Sequence, residues 1–359
     1  MEREWKFSKA FPAEQKVPTR EQILTELQRC GVGEAEQISL IDTTHSADDI
    51  RLNFVIDKRY VLRFVNAPGL SEQRFAELNR LIGRYNASGL RCPAFLTGTD
   101  GRFLHPWENL TCYCGEYFDL PLADECSVEL DALYDEIHDF EAAFAERYRD
   151  FDLSETMGMY SLFDLDPFDV PEGIDEKQQN FNQLIEKLKS VGAHALADRL
   201  YARHAAVRER LFAIYRTLPR CFVQDDANVS NVLLDERQRF AGLIDFNLAG
   251  TEVIVNTFAN WAGDDYNLEE KAPIGAQARL DFLLQKYRRD IRRALTIYHA
   301  TETEKEALVL YAWIVMVAQW PLFCWFSECI DGGGAMKEEV LALLGLVADL
   351  DLGLLHPDA

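Results

Sequence analysis

In the segment CFVQDDANVSNVLLDERQRFAGLIDFNLAG, Asn231 follows Asp226 by five residues and Asp245 follows Asn231 by fourteen. Val232–Leu234 is an apolar run, 235–238 reads as a turn, and 240–244 is apolar again, which predicts a β-hairpin. Antiparallel pairing would bring Asn231, at the head of one strand, beside Asp245, at the tail of the other. Asp226 lies on the loop entering the same end. Three oxygen-bearing side chains at one mouth suit phosphoryl transfer. Magnesium takes hard oxygen ligands and keeps its other positions for water and phosphate oxygens. A separate carboxylate must then orient and deprotonate the attacking hydroxyl. On this reading Asp226 is the base, and Asn231 and Asp245 are the metal ligands. Asp and Asn are also ordinary turn residues, so D-x4-N alone would mark only a polar-ended hairpin. The specificity comes from the whole order of D-x4-N, apolar strand, turn and LIDF.

The elements that must hold these residues are legible around them. REQILTELQRC, residues 20–30, has helical apolar spacing, and the GVG after it follows a helix rather than a strand, which argues against a dinucleotide loop. QISLIDTTHSADDIRLNFVIDKRYVLRFVN alternates apolar and polar residues and turns at Asp57-Lys58, as strands of an antiparallel sheet would. Ser71 is placed to cap a helix with the apolar stripe Phe75, Leu78, Ile82 and Tyr85, stopped by Gly89. NLTCYCGEYFDLPLAD gives a further strand leading into an extended link. Beyond about residue 120, long amphipathic segments dominate, at 128–149, 177–190, 193–217, 276–298, 303–326 and 336–350. The expected class is α+β: a small antiparallel β-rich N-terminal lobe over 1–118 and a larger helical lobe over 119–359 that carries the hairpin.

Composition narrows the partners. The 359 residues are 48% hydrophobic and 27% charged, a globular balance. A formal charge of −23 disfavours nucleic acid and anionic membrane surfaces and mildly favours a cationic small molecule. Eight cysteines without a CxxC pair read as reduced thiols of a cytoplasmic protein, and MEREWKFSKA has no apolar signal-peptide core. Strand alternation accounts for Cys112 and Cys114 near His105 better than a metal site does. LVLYAWIVMVAQWPLFCWF, residues 308–326, has the length of a membrane span. Gln319 and Pro321 interrupt it and acidic residues flank it, so a buried core helix is expected.

The pattern QDDANVSN followed by LIDFN resembles that of the aminoglycoside phosphotransferase and choline kinase family, roughly HGDxxxxN, a hairpin and IDFG or IDFx. The resemblance extends to YVLRFV, the helix after it and GEYFDL. It implies a bilobal protein-kinase-like fold, ATP or GTP as donor, Mg²⁺, and a small hydroxyl acceptor such as an amino sugar or aminoalcohol. It further implies a phosphate-binding cation on the third strand paired with a helix carboxylate. Arg63 would be the cation and Glu77 its partner, with Glu72 as the fallback. Glu116 and Phe118 would present backbone groups to the base, and Thr44 and Ser46 would line a phosphate loop that lacks glycine. The acidic run Asp264, Asp265, Glu269 and Glu270 falls where this family places acceptor contacts. Gln224, Asp225 and Asn247 depart from the pattern, and Asp225 adds a carboxylate expected to raise the pKa of Asp226. Two other readings are a Ser/Thr protein kinase of similar fold and a nucleotide-binding module with little turnover.

Overall fold

The computed structural model describes residues 5–358 apart from 68, 168, 170, 171, 264–271 and 273. Five antiparallel strands form the first sheet: β1 (Ile38–Asp42), β2 (Arg51–Ile56), β3 (Tyr60–Val65), β4 (His105–Trp107) and β5 (Leu110–Glu116). Their order is β1-β2-β3-β5-β4. Asp57 and Lys58 both take positive φ, 50° and 54°, so β2 and β3 join through the tight turn that matches strand twist. Leu52, Phe54 and Ile56 on β2, with Leu62 and Phe64 on β3, face a core shared with Cys112, Cys114 and two residues of α1 (Arg20–Arg29), Ile23 and Leu27. The period of two then turns Arg63 to the opposite face. There Val65 and Tyr113 pack with Phe75 of α2 (Glu72–Ala87). Ser71 caps α2 as expected, its Oγ accepting the Arg74 N–H at 3.1 Å.

The chain forms two compact units, Met1–Leu133 with Asp226–Asn247, and Tyr134–Asp225 with Leu248–Ala359. The hairpin of β6 (Val232–Leu234) and β7 (Phe240–Leu243) therefore belongs with the sheet. Backbone bonds explain this: the Arg91 N–H donates to the Ala241 carbonyl at 2.8 Å, and the Leu234 N–H to the Pro121 carbonyl at 3.0 Å. A single cut at 118/119 follows composition, whereas the compact units follow these contacts.

In the second unit, β8 (Arg220–Val223) pairs antiparallel with β9 (Gly250–Val253). Around this ribbon stand α3 (Leu130–Tyr148), whose first turn lies in the other unit, α4 (Glu176–Ser190), α5 (His194–Tyr215), α6 (Ile254–Gly263) and α7 (Ala276–Leu295). The apolar stretch after residue 302 is two helices, α8 (Glu302–Ala318) and α9 (Trp320–Gly332), broken at Gln319, whose ψ is 138°. Every residue from Ala307 to Ala318 is buried inside the protein, and the Trp313 indole donates to the Val347 carbonyl of α10 (Gly334–Ala348) at 3.0 Å. A helix that buries all round in this way is a core helix.

Candidate active site

The hairpin closes as its sequence requires. The Ile244 N–H donates to the Asn231 carbonyl at 2.9 Å, setting Asp245 beside Asn231 at the mouth. The Asn231 amide donates to Asp226 Oδ2 at 2.8 Å and to the Asp226 carbonyl at 3.0 Å. With its Nδ2 thus committed, Asn231 is left with its oxygen for a ligand. The Asn228 amide donates to Asp226 Oδ1 at 2.8 Å, so both oxygens of the proposed base are oriented. Burial pushes the Asp226 carboxyl above its ordinary range, the Asp245 carboxylate adds to this, and the Asn228 and Asn231 bonds oppose it. Asp245 takes φ 55°, a left-handed backbone that Asp and Asn tolerate better than other side chains. The carboxylate of Asp245 and the amide oxygen of Asn231 are the hard donor set that Mg²⁺ prefers.

Arg63 lies beside this mouth. Burial alone would lower its pKa, but the Tyr113 oxygen and the Asp245 carboxylate hold the guanidinium above its ordinary value. Its Nε is buried without a hydrogen-bond partner among the described residues, as suits a group that awaits an anion. The partner anticipated for it, Glu77, is buried one turn along α2 from Arg74, and bears on that arginine instead. Arg74 is pushed down to about 10 by burial, with Glu77 opposing, and it donates to the Asn247 carbonyl at 3.3 Å. Sequence reading missed Arg74, although its spacing of three from Glu77 on one helix face was available as a signal. Glu72 is committed elsewhere: it accepts the Phe103 and Leu104 N–H groups at 2.8 and 3.0 Å. Asn228 was also missed, and its position two residues after Asp226 was the available clue.

At the link after β5, the Glu116 N–H donates to the Ala94 carbonyl at 2.8 Å, and the Glu116 side chain accepts the Ala94 N–H at 3.0 Å. Among the described residues the Phe118 N–H has no partner, and the Arg91 guanidinium lies 5.3 Å from the centre of the Phe118 ring. In the β1–β2 loop, Thr44 is buried and its hydroxyl accepts the Arg51 N–H at 3.1 Å, a structural use. Ser46 is exposed on the same loop, its hydroxyl accepting the Asp48 N–H at 3.2 Å. Asp264, Asp265, Glu269 and Glu270 lie outside the described residues.

Asp225 does not act on Asp226 in the manner the sequence suggested. Its carboxyl is buried in the second unit, where it accepts the Thr257 hydroxyl at 3.3 Å. The upward shift of Asp226 follows from its own burial and from Asp245.

Residues 44–292 match the model of the phosphotransferase enzyme family. The chain is similar in structure to a microcompartment-associated aminopropanol kinase, at 13% identity and a TM-score of 0.53, covering 91% of this chain and 96% of the other. It is also similar to a spectinomycin phosphotransferase in complex with ADP and spectinomycin, at 10% identity and a TM-score of 0.49, covering 93% and 98%. Comparison with curated proteins finds no match. The family match spans most of the chain, from the loop before β2 to α7, and takes in the whole Asp226–Asn231–Asp245 mouth. This chain belongs to the phosphotransferase enzyme family, and its fold is that of the family's small-molecule kinases.

Proposed function

We propose that this protein is an ATP-dependent small-molecule kinase that phosphorylates a hydroxyl of an aminoalcohol or amino sugar. The observation that carries this reading is the mouth of the hairpin. There Asp226 is oriented by two amides, Asn231 and Asp245 offer oxygens, and Arg63 lies in the field of Asp245. All five residues belong to one compact unit. Bound Mg²⁺ would neutralise charge on the phosphates, with Asn231 and Asp245 as its protein ligands. Asp226 would accept the proton of the attacking hydroxyl as its oxygen bonds to the γ-phosphorus and the bond from that phosphorus to the β-phosphate oxygen breaks to release ADP. Its raised pKa brings it closer to the matched value for a base near neutrality. Arg63 would hold the phosphates, and its planar fork can do so with two bonds where lysine supplies one point charge.

The link after β5 supports ATP as the donor. With the Glu116 N–H already given to Ala94, the Glu116 carbonyl and the Phe118 N–H would be the groups that meet the base. An acceptor followed by a donor matches adenine, which presents an amino group beside a ring nitrogen. Guanine presents a carbonyl oxygen and a ring N–H there. Ser46 would contribute at most a hydroxyl to the phosphates, and Glu77 would act through Arg74 rather than Arg63. The acidic charge of the chain and the aminopropanol in the name of one similar kinase support a cationic acceptor. A screen of aminoalcohols, amino sugars and peptides, each with labelled ATP and with labelled GTP, tests the proposal. Transfer to peptides alone would favour a protein kinase, and no transfer with intact nucleotide binding would favour a binding module.

A further inference from the structure

The second compact unit buries a group of acids that the transfer chemistry does not use. Asp225, just after β8, is 4% exposed and Glu252 on β9 is 1% exposed. Residues 156–158 run across β9: the Thr251 N–H donates to the Thr156 carbonyl at 2.8 Å, and the Gly158 N–H to the Thr251 carbonyl at 3.0 Å. This approach is so close that a Cβ on Gly158 would stand 2.2 Å from Asp225 Oδ2 and 3.3 Å from Glu252 Oε2. The absent side chain is therefore the slot into which both carboxyl oxygens point.

The other oxygen of each acid is satisfied. Asp225 Oδ1 accepts the Thr257 hydroxyl at 3.3 Å, and Glu252 Oε1 accepts the Val253 N–H at 2.7 Å and the Asn256 amide at 3.1 Å. Among the described residues, Asp225 Oδ2 and Glu252 Oε2 have no hydrogen-bond partner although both are buried. Two ionised carboxylates can only accept, so neither can satisfy the other. One proton between them turns one acceptor into a donor and satisfies both. We propose that Asp225 carries a proton that it shares with Glu252 across the slot left by Gly158, and that this pair anchors the backbone of Asp225 and so positions Asp226, the next residue. The positioning half rests on the reading of Asp226 as the base; the shared proton does not.

The groups facing the pair leave the need for that proton in place. Glu141 of α3 adds a third acid, and Tyr311 of α8 lies within electrostatic reach of Glu252. Two cations act on Glu252, Lys177 of α4 and Arg220 of β8, the latter with its Nε and Nη2 buried. Burial pushes Asp225 well above the usual carboxylate range, with Glu252 and Glu141 adding to the shift and Thr257 and Lys177 opposing it. Burial also raises Glu252 to about 7 and Glu141 to about 8, and holds Lys177 below its ordinary value. The backbone of Asp225 is left-handed, with φ 63°, where glycine and asparagine are the other comfortable residues. Both substitutions are thus available without added backbone strain.

The test begins with the wild-type protein carrying ¹³C at its aspartate carboxyls. One aspartate carbon is expected to keep the protonated chemical shift at neutral pH and to vanish in both Asp225→Asn and Asp225→Gly. The folded pKa of the pair lies above its unfolded value, so the native state holds the extra proton and stability falls as pH rises. The Tm of wild type should therefore drop from mildly acid to mildly alkaline pH, and Asp225→Asn, which keeps a donor toward Glu252, should drop less. Removal of the donor in Asp225→Gly should lower kcat by about 10–100-fold, the scale for a displaced reacting group, while KM for nucleotide changes little and Asp225→Asn recovers much of the loss. A wild-type protein whose aspartates are all ionised at neutral pH overturns the shared proton, whether or not the variants fold. A protonated aspartate together with full turnover in Asp225→Gly overturns the positioning role. A protonated aspartate in a wild type inert toward every acceptor upholds the pair and faults the kinase reading instead.

Discussion

Replacing Asp226 by asparagine isolates the proton acceptor, and the geometry sets what else must change. Both carboxylate oxygens of Asp226 accept from an amide, Asn228 on one side and Asn231 on the other, each at 2.8 Å. An asparagine at 226 must present its own NH₂ to one of them, so one bond is lost. Asn228 cannot turn its oxygen inward cheaply, because that oxygen already accepts the Ser230 N–H at 3.0 Å. The substituted amide would therefore point its oxygen at Asn231 and lose the bond from Asn228. A hydrogen bond to a charged group contributes about 1.5–3 kcal/mol, but the variant also ceases to bury a charge whose pKa is raised by burial. These effects oppose, and Tm should move by only a few degrees. Since Asn231 keeps its orientation, the Kd of Mg²⁺-nucleotide by calorimetry should also change little. The chemical step should suffer far more: a positioned acid–base group contributes about 10²–10⁴-fold, roughly 3–5 kcal/mol on the barrier. The assay is kcat on the acceptor found in the screen, with ADP release measured in parallel. Turnover within tenfold of wild type would refute the assignment of the base, and an inactive Asp225→Asn beside an active Asp226→Asn would move the base one residue upstream.

The acid limb of the pH–kcat profile should lie above the ordinary aspartate pKa, because the base must be ionised and burial raises Asp226; the limb should be absent in Asp226→Asn. Chelation of Mg²⁺, or Asp245→Ala, should weaken nucleotide binding, and calorimetry giving equal affinity in all cases would remove Asp245 from the metal site. Arg63→Ala should raise KM for nucleotide by about 10–100-fold, the equivalent of a lost charge-assisted bond, with Arg63→Lys in between; an unchanged KM would show that the phosphates lie elsewhere. Gly242→Ala would drive a Cβ to 2.0 Å from the Arg91 carbonyl oxygen, so it should lower Tm by several degrees, and a neutral result would mean that the hairpin can move off residue 91.

Local chemistry made much of this protein legible without coordinates. The two-residue turn at Asp57-Lys58, the Ser71 cap and the hairpin after Asn231 each depend on neighbours within a few positions, and each appears as read; the single helix expected over 303–326 is instead two, divided at Gln319. The meeting of Asn231 with Asp245 was readable for the same reason, since a short hairpin leaves its ends nowhere else to go. Partner choice was different. That Arg63 lies in the field of Asp245 and that residues 226–247 group with the sheet both depend on segments distant in the chain. The clearest case is Asp225. From sequence it is a second acid beside a base, yet its left-handed φ of 63° and the missing side chain at Gly158 turn it away from Asp226 and toward Glu252. Propensity and periodicity specify the backbone of an element, but the environment of a charge depends on which remote surfaces fold against it.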